Sequence, residues 1–258
     1  CVVRYFCYAL SNMNAQQPLL PYVRCPPVKS DYQTFAAHPD NMDRAHAEPL
    51  ARIALLFSGR SRDWNSLASF EPELFGLAQT LEEMHVPYQV IGSASLKPEV
   101  LRQFDIVSLG ASGCLADEEV QAVNDYARAG GTVWLTTNTG LFDAEGDPRK
   151  TWAFADVFGF SPKTTPLKQL TALEDASGTR LTLKKPVNYF PLRGRFRPES
   201  ALYITFNQQR LPCWIEQPYG KGKMIYQPLE LAGALYAPEV SPGKKWQFER
   251  DDALAELL

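Results

Sequence analysis

Short apolar runs alternate with amphipathic segments between residues 51 and 140, and this alternation is the strongest structural signal in the chain. Four runs are rich in aliphatic and β-branched residues, as buried strands are; they cover residues 52–58, 88–91, 106–109 and 132–135. Between the first two runs, apolar residues recur every three or four positions from Phe70 to Met84, which predicts a helix with one apolar face. The alternation predicts a doubly wound sheet of parallel strands in the order 2-1-3-4.

The stretch 105–140, DIVSLGASGCLADEEVQAVNDYARAGGTVWLTTNTG, shows this pattern most clearly. Asp117 is predicted to cap a helix whose first turn holds Glu118 and Glu119, where acids favour the positive end of the helix dipole. Gly130 and Gly131 are predicted to end that helix. A strand, a crossover helix and a second strand within about thirty residues form a βαβ unit, which requires a parallel pair. The predicted fold class is therefore α/β, with a flavodoxin-like parallel sheet.

Two short helices and a set of later strands complete the predicted domain. The helices are expected over residues 97–104, with Pro98 in the first turn, and over residues 152–159, which end in glycine. From residue 167 onward, successive β-prone runs predict additional C-terminal strands. Residues 212–229 predict a hairpin whose turn lies at residues 219–222, because the glycines there permit positive φ.

Residues 1–47 do not continue the parallel-sheet pattern. Residues 2–10, VVRYFCYAL, predict one buried strand, and a long loop with four prolines and a polar linker follow it. A buried strand, a long loop and a linker resemble the end of a (β/α)8 barrel, a fold whose active sites lie at the carboxyl ends of the strands. We therefore predict two parts: residues 1–47 as the end of a truncated barrel with its linker, and residues 48–258 as the sheet domain.

The composition excludes several classes of function. The 258 residues are 45% hydrophobic and 21% charged, which is ordinary for a soluble globular protein. The net charge of −3 provides no attraction for polyanions, so a nucleic-acid partner is not expected. No apolar run approaches the ~20 residues that cross a bilayer, so no membrane partner is expected. Since the chain begins with Cys1 and ends in what resembles the opening of a helix, we expect a fragment of a longer protein.

The cysteines and glycines give no sign of a cofactor. The five cysteines are scattered, with no CxxC pair and no zinc-like spacing to histidine. Such a pattern favours reduced thiols, and with them a cytoplasmic location, over a disulfide framework. Strand one is not followed by GxGxxG, and GxxxxGK[ST] is absent, so nucleotide binding is not expected. The sequence predicts neither a cofactor nor a metal.

Three motifs carry a resemblance to a known family: SLGASGCL, DEEVQAVNDYARAGG and TVWLTTNTGLFDAEGDPR. They resemble the class I glutamine amidotransferase-like domains, and more closely the version behind the barrel in family 42 β-galactosidases, the trimerisation domain. The element WAFADVFG and the turn Gly220–Lys221–Gly222 are similar as well, so the resemblance covers about residues 51–236. It implies a module of a carbohydrate-degrading glycosidase that packs between subunits of a homo-oligomer, such as a trimer, and helps to close the neighbouring active site.

The same resemblance implies that this module has lost its chemistry. Active members of the wider superfamily place a cysteine nucleophile after the last of these strands, and alignment on Gly140 puts Asn138 at that position. An amide cannot act as a thiolate does. His85 ends a helix, and no histidine follows a strand in the later half, where the base would lie. Cys114 is the alternative nucleophile, although it lies one strand too early in the chain.

Catalytic acids of the parent glycosidase are expected in the missing barrel, so no catalytic residue is assigned here. Asn12 and Asn14, in the loop after the predicted barrel strand, would face the sugar site; the alternative is a surface loop rich in turn formers. Three functions stay open. The chain is a non-catalytic module of a glycoside hydrolase, a stand-alone flavodoxin-like domain whose switch-point crevice between residues 58–60 and 110–114 binds a small ligand, or an amidohydrolase that uses Cys114.

Overall fold

The computed structural model describes residues 50–64, 70–164, 168–174, 180–195, 200–235, 238–239 and 247–248. The predicted strand at residues 2–10, the barrel end and the loop with Asn12 and Asn14 lie outside the described residues. Their placement, and the domain boundary at residue 48, therefore stay predictions. Within the described ranges, no helix is long and apolar enough to span a membrane.

The described strands and helices follow one another in a mixed α/β order. The strands are β1 (Ile53–Phe57), β2 (Tyr88–Gly92), β3 (Ile106–Leu109), β4 (Thr132–Thr136), β5 (Phe160–Pro162), β6 (Lys168–Glu174), β7 (Arg180–Tyr189), β8 (Leu192–Gly194), β9 (Ala201–Phe206), β10 (Gln209–Tyr219), β11 (Gly222–Gln227), β12 (Pro238–Glu239) and β13 (Gln247–Phe248). The helices are α1 (Gly59–Trp64), α2 (Phe70–Glu83), α3 (Pro98–Leu101), α4 (Asp117–Ala129), α5 (Ala155–Phe158) and α6 (Leu231–Leu235).

The parallel half of the sheet has the predicted strands in the predicted order. The strand order is β2-β1-β3-β4, and all three pairings are parallel. Ile53 of β1 lies opposite Tyr88 on one side and Ile106 on the other, and Ile106 lies opposite Thr132 of β4. The prediction of a parallel, flavodoxin-like arrangement is confirmed for this half.

The later strands extend the same sheet, so the whole sheet has nine strands in the order β2-β1-β3-β4-β11-β10-β9-β6-β7. β11 is parallel to β4, with Lys223 opposite Thr132. Beyond β11, each neighbouring pair is antiparallel. The hairpin of β10 and β11, closed where Tyr219 pairs with Gly222, is confirmed. The sheet is therefore parallel at one end and antiparallel at the other.

Helices cover both faces of the parallel half, because each strand alternates its side chains between the two. On one face, Leu55 of β1 contacts the buried stripe of α2, which includes Leu74 and Leu77. On the other face, Leu56 belongs to the cluster that holds Val123 of α4. α6 lies against α2 where Gly76 leaves room: a Cβ there would come within 1.9 Å of a backbone oxygen of α6. The doubly wound arrangement is thus observed.

Several element boundaries differ from the predictions. Residues 59–64, expected as an exit loop, form α1, because Ser58 Oγ accepts the backbone N–H of Ser61 and caps the helix. Asp117 is the first helical residue and not the cap; Ala116 precedes the helix, and Glu119 accepts its N–H at 2.8 Å. α2 ends at Glu83, and Met84 is 62% exposed instead of buried in the stripe. α3 and α5 are shorter than expected, at four residues each.

Candidate functional site

The loops after β1 and β3 lie together, as the switch-point argument predicts. Ser61 Oγ accepts the backbone N–H of Cys114 at 3.0 Å and lies 2.9 Å from Ser58 Oγ. Arg60 forms an ion pair with Glu119 in the first turn of α4, at 2.8 Å. The two loops therefore hold each other through polar contacts at the carboxyl ends of their strands.

This meeting point is filled rather than open. Ser58, Ser61, Ser112 and Cys114 have no exposed surface. Backbone hydrogen bonds also join the loop after β3 to the segment after β4, since Gly140 N donates to Ser112 O at 3.0 Å. No surface remains at these residues for the small ligand that a switch-point crevice would bind.

The turn after β4 holds Asn138, which the sequence resemblance aligned with the amidotransferase nucleophile. Thr137, Asn138 and Thr139 are all fully buried. The positive φ of this turn, 50°, falls on Thr137, where a β-branched residue is strained. Tyr226 of β11 donates a buried hydrogen bond to Thr137 O, which holds the strained turn in place. Solvent does not reach these three residues of the turn.

Cys114 is no better placed for chemistry. Its side chain is fully buried, and burial, together with the charge of Asp143, raises the pKa of the thiol to about 11. At neutral pH the group is therefore a neutral thiol and not the thiolate that attacks carbonyl carbon. Of the three histidines, His85 alone lies among the described residues, where it follows α2 in an exposed turn. No described histidine accompanies this cysteine.

Two acids and a tryptophan of the later segments have structural partners. Glu216 accepts from Trp214 Nε1 at 3.0 Å and from a lysine of β11, and these contacts lower the pKa of its carboxyl. Glu230 accepts from Asn188 Nδ2 at 2.7 Å. Trp152 is 4% exposed and donates to a backbone carbonyl, so it packs in the core and offers no exposed ring to a sugar.

A cavity that was not predicted from the sequence lies between α2 and the sheet. Its volume is about 240 Å³. Its lining residues come from α2, β4, the end of β11 and the segments beside them: Glu73, Leu77, Thr80, Leu81, Met84, Gly110, Trp134, Thr136, Trp214, Gln227 and Ala232. The lining is mainly apolar with a few polar groups, which is the usual character of a small-molecule site.

Glu73 is the acid at the closed end of this cavity. It is 1% exposed, and its Oε2 accepts the backbone N–H of Gly233 at 2.8 Å. Burial raises the pKa of Glu73 to about 8, and the charge of Glu230 adds to the effect; the hydrogen bond from the Gly233 amide opposes it. The carboxyl is therefore protonated at neutral pH.

The remaining polar groups of the cavity are incompletely paired. Glu73 Oε1, Gln227 Oε1 and Trp134 Nε1 are buried and have no hydrogen-bond partner in the described part of the chain. The sequence did contain a signal for this site. Glu73 falls on the apolar stripe of α2, three residues after Phe70 and four before Leu77, where an acid on a buried face calls for an explanation.

Comparisons with known proteins show a likeness of fold. No protein-family model matches the chain, and no curated protein matches it. A catalytic mutant of Gan42B, a GH42 β-galactosidase from G. stearothermophilus, matches with a TM-score of 0.53 at 16% identity, over 69% of this chain and 27% of that one. A β-galactosidase from the haloarchaeon Halorubrum lacusprofundi matches with a TM-score of 0.55 at 15% identity, over 72% of this chain and 29% of that one.

A third match covers most of the matched protein's own length. A putative ThuA-like protein from Bacteroides uniformis has a TM-score of 0.51 at 11% identity, over 72% of this chain and 85% of that one. The predicted resemblance to family 42 β-galactosidases is therefore confirmed as a likeness of fold. This chain spans less than a third of the two β-galactosidase chains, whereas the same fold makes up most of the ThuA-like protein.

Proposed function

We propose that residues 48–258 form a non-catalytic, amidotransferase-like module of a β-galactosidase-like glycoside hydrolase, and that this module supports a homo-oligomer and the barrel active site. The observation that carries the proposal is the buried turn after β4, in a fold shared with GH42 β-galactosidases. Thr137, Asn138 and Thr139 have no exposed surface. A substrate cannot reach the position from which an amidotransferase attacks.

The groups that glutamine hydrolysis requires are also missing from this position. A covalent mechanism needs a nucleophile with a base within hydrogen-bonding reach. Asn138 provides an amide, and the thiol of Cys114 is buried with its pKa raised to about 11. Within the described part of the chain, the absence of a reactive nucleophile, of a histidine base beside it and of solvent access supports a structural role for the fold.

Exposed apolar side chains in the parallel half support a role in assembly. Trp64 is 67% exposed, Phe75 on α2 is 61% exposed, and Val90 on the edge strand β2 is 49% exposed. Large exposed apolar groups commonly mark protein interfaces, whose centres are apolar and whose rims are charged. In the proposed oligomer, the face with Phe75 lies at the subunit contact.

Sedimentation velocity of the parent enzyme tests the assembly role. We expect an oligomer that shifts toward monomer when residues 48–258 are deleted, and also when Phe75 is changed to Glu. Gln103→Glu is the matched control, since Gln103 is exposed and follows α3, whose Leu101 packs on the opposite face of the sheet. A parent enzyme that is monomeric with the module intact would contradict the proposal.

Enzyme assays test the loss of chemistry. We expect the purified chain to release no ammonia from glutamine, and Cys114→Ser to leave the glycosidase rate of the parent unchanged. If the loop lines the sugar site, Asn12→Ala and Asn14→Ala should each slow the parent's turnover, because each raises the activation free energy by about 1–3 kcal/mol. Glutaminase activity that Cys114→Ser abolishes would instead establish the amidohydrolase.

A stand-alone domain is the second candidate, and the 85% coverage of the ThuA-like protein favours it. The gene sequence upstream of Cys1 separates the two. For the glycoside hydrolase, we expect the upstream sequence to encode about 300 residues that alternate between strands and helices. Two glutamates should lie at strand ends within it. A start codon immediately before Cys1 would instead support the stand-alone domain.

A further inference from the structure

We propose that the cavity between α2 and the sheet is a binding site for a small, uncharged aromatic alcohol. The site is built from α2, the end of β3, β4 and the β10–β11 hairpin, all of which belong to the described sheet domain. The proposal goes beyond the assembly role and does not depend on it, because it rests on the volume, lining and pairing of the cavity itself.

The volume suits a single substituted ring. A cavity of about 150 Å³ lined by aliphatic and aromatic residues holds benzene. The cavity here has about 240 Å³, which leaves room for a hydroxyl and a further small substituent on such a ring. A larger ligand, with two fused rings and long substituents, would require α2 to move away from the sheet.

The walls suit an aromatic ring. The indoles of Trp134 and Trp214 both line the cavity, with their ring centroids 5.5 Å apart and their planes at 55°. Both residues are half-buried, and the neighbouring Met84 is 62% exposed, so this side of the cavity opens to the surface. A third ring can pack edge-to-face against one indole, an arrangement that stabilises aromatic pairs beyond simple burial.

The closed end suits a hydroxyl group. Glu73 and Gln227 are 1% and 2% exposed, and each has one side-chain oxygen without a hydrogen-bond partner among the described residues. Trp134 Nε1 is a buried donor that likewise has no partner there. A buried polar group without a partner is costly, so a ligand that supplies one is favoured. Since a hydroxyl both donates and accepts, it can pair with an acceptor oxygen at the closed end or with the indole N–H of the wall.

Other ligand charges fit this end less well. A carboxylate would lose its hydration in the mainly apolar cavity and would be repelled by the charge of Glu230, which already acts on Glu73. An ammonium group has donors only, so it would leave the Trp134 N–H unpaired, and it would require Glu73 to lose its proton to form a pair. A hydrocarbon ring would fill the cavity but leave all three polar atoms unpaired. The uncharged alcohol is the class that satisfies both the walls and the closed end.

A matched series of probes tests the ligand class on the 258-residue chain. The probes are p-cresol, toluene, 4-methylbenzoate and 4-methylbenzylamine, which share one ring and differ in the polar group. Isothermal titration calorimetry, checked by tryptophan fluorescence, should show one saturable site for p-cresol. We expect toluene to bind at least about fivefold more weakly, which is the value of one hydrogen bond, and the two ions to show no saturable binding.

Two variants locate the site. Gly110→Val adds a side chain at the cavity wall, where a Cβ meets only ordinary contacts, 3.7 Å from Glu73 Cγ. It should weaken p-cresol binding at least about tenfold by filling the space. Gly92→Val is the control, because a Cβ at Gly92 has nothing within 4 Å and Gly92 does not line the cavity. Trp134→Phe removes the indole N–H but keeps the acceptor oxygens, so it should reduce the preference for p-cresol over toluene while leaving toluene binding within about twofold.

Thermal unfolding of each variant shows whether it is folded, and Trp134→Phe decides the question if Gly110→Val does not fold. Toluene binding as tight as p-cresol binding, tighter binding of 4-methylbenzylamine, or p-cresol binding that Gly110→Val leaves unchanged would each overturn the proposal. Failure here is distinct from failure of the assembly role, because the sedimentation of the parent enzyme is measured without any of these probes.

Discussion

Replacement of Glu73 by Gln should make the protein more stable at neutral pH and should remove part of the pH dependence of its stability. Burial raises the pKa of Glu73 from its ordinary value of 4.5 to about 8. Between these values the folded chain keeps a proton that the unfolded chain releases. The folded state therefore binds more protons in this window, and its stability falls as the pH rises from 4.5 to 8.

The size of the effect on the free energy of unfolding follows from how far the pH lies above the ordinary pKa of the carboxyl. Each unit of pKa difference corresponds to about 1.4 kcal/mol, so the penalty at pH 7, about 2.5 units above the ordinary value, is about 3 kcal/mol. Below pH 4.5 both states are protonated and the penalty vanishes; above pH 8 both are ionised and it stays constant. A glutamine cannot ionise, yet it keeps an oxygen that can accept the Gly233 N–H.

Urea unfolding of the wild type and Glu73→Gln, measured at pH 5, 6, 7, 8 and 9, provides the assay. The difference in the free energy of unfolding should grow by about 1 kcal/mol per pH unit between pH 5 and 8 and then level off. Glu71→Gln is the control for loss of an acid from the same helical turn, because Glu71 is exposed and burial does not act on it. A difference that is constant or shrinks with rising pH would refute a protonated Glu73.

Three further predictions concern packing and reactivity. Gly222→Ala should destabilise the fold by at least about 1–3 kcal/mol, because its Cβ would lie 2.2 Å from Gly131 O, whereas Gly92→Ala should leave the melting temperature nearly unchanged. Cys114 should resist iodoacetamide at pH 8 until the chain unfolds, since the thiol is buried with its pKa raised to about 11; peptide mapping by mass spectrometry measures its labelling. Arg149→Ala should cost about 1–3 kcal/mol in urea unfolding, because its guanidinium donates to two backbone carbonyls and pairs with the first residue of α4 at 2.6 Å; equal midpoints for Arg149→Ala and wild type would contradict this.

The strands of the parallel half could be predicted from sequence because a strand buried on both faces is apolar along most of its length. β1, β3 and β4 are such strands, and the helices between them carry regular apolar stripes. The β10–β11 hairpin could be predicted because its turn chemistry is local, with positive φ at Gly220. Each of these patterns is formed by residues that lie within about ten positions of one another along the chain.

The parts that could not be predicted depend on contacts between distant residues. The pairing of β11 with β4 joins Lys223 to Thr132, and no local pattern specifies it. The cavity depends on the same pairing, because Gln227 and Trp134 meet only when β11 lies beside β4. α1 was missed for a different reason: Ser58 was assigned to the strand, although a serine before a polar turn is a common helix cap.

The pairing of β4 with β11 has a consequence for synthesis of the protein on the ribosome. β4 ends at Thr136, and its partner is complete only at Gln227, about ninety residues later. At roughly 5–20 residues per second, the nascent chain carries β4 with an unpaired edge for about 5–20 s. An open strand edge can pair with another chain, so this interval is when the growing polypeptide depends most on chaperones. Slower translation of the segment between the two strands should lower the soluble yield.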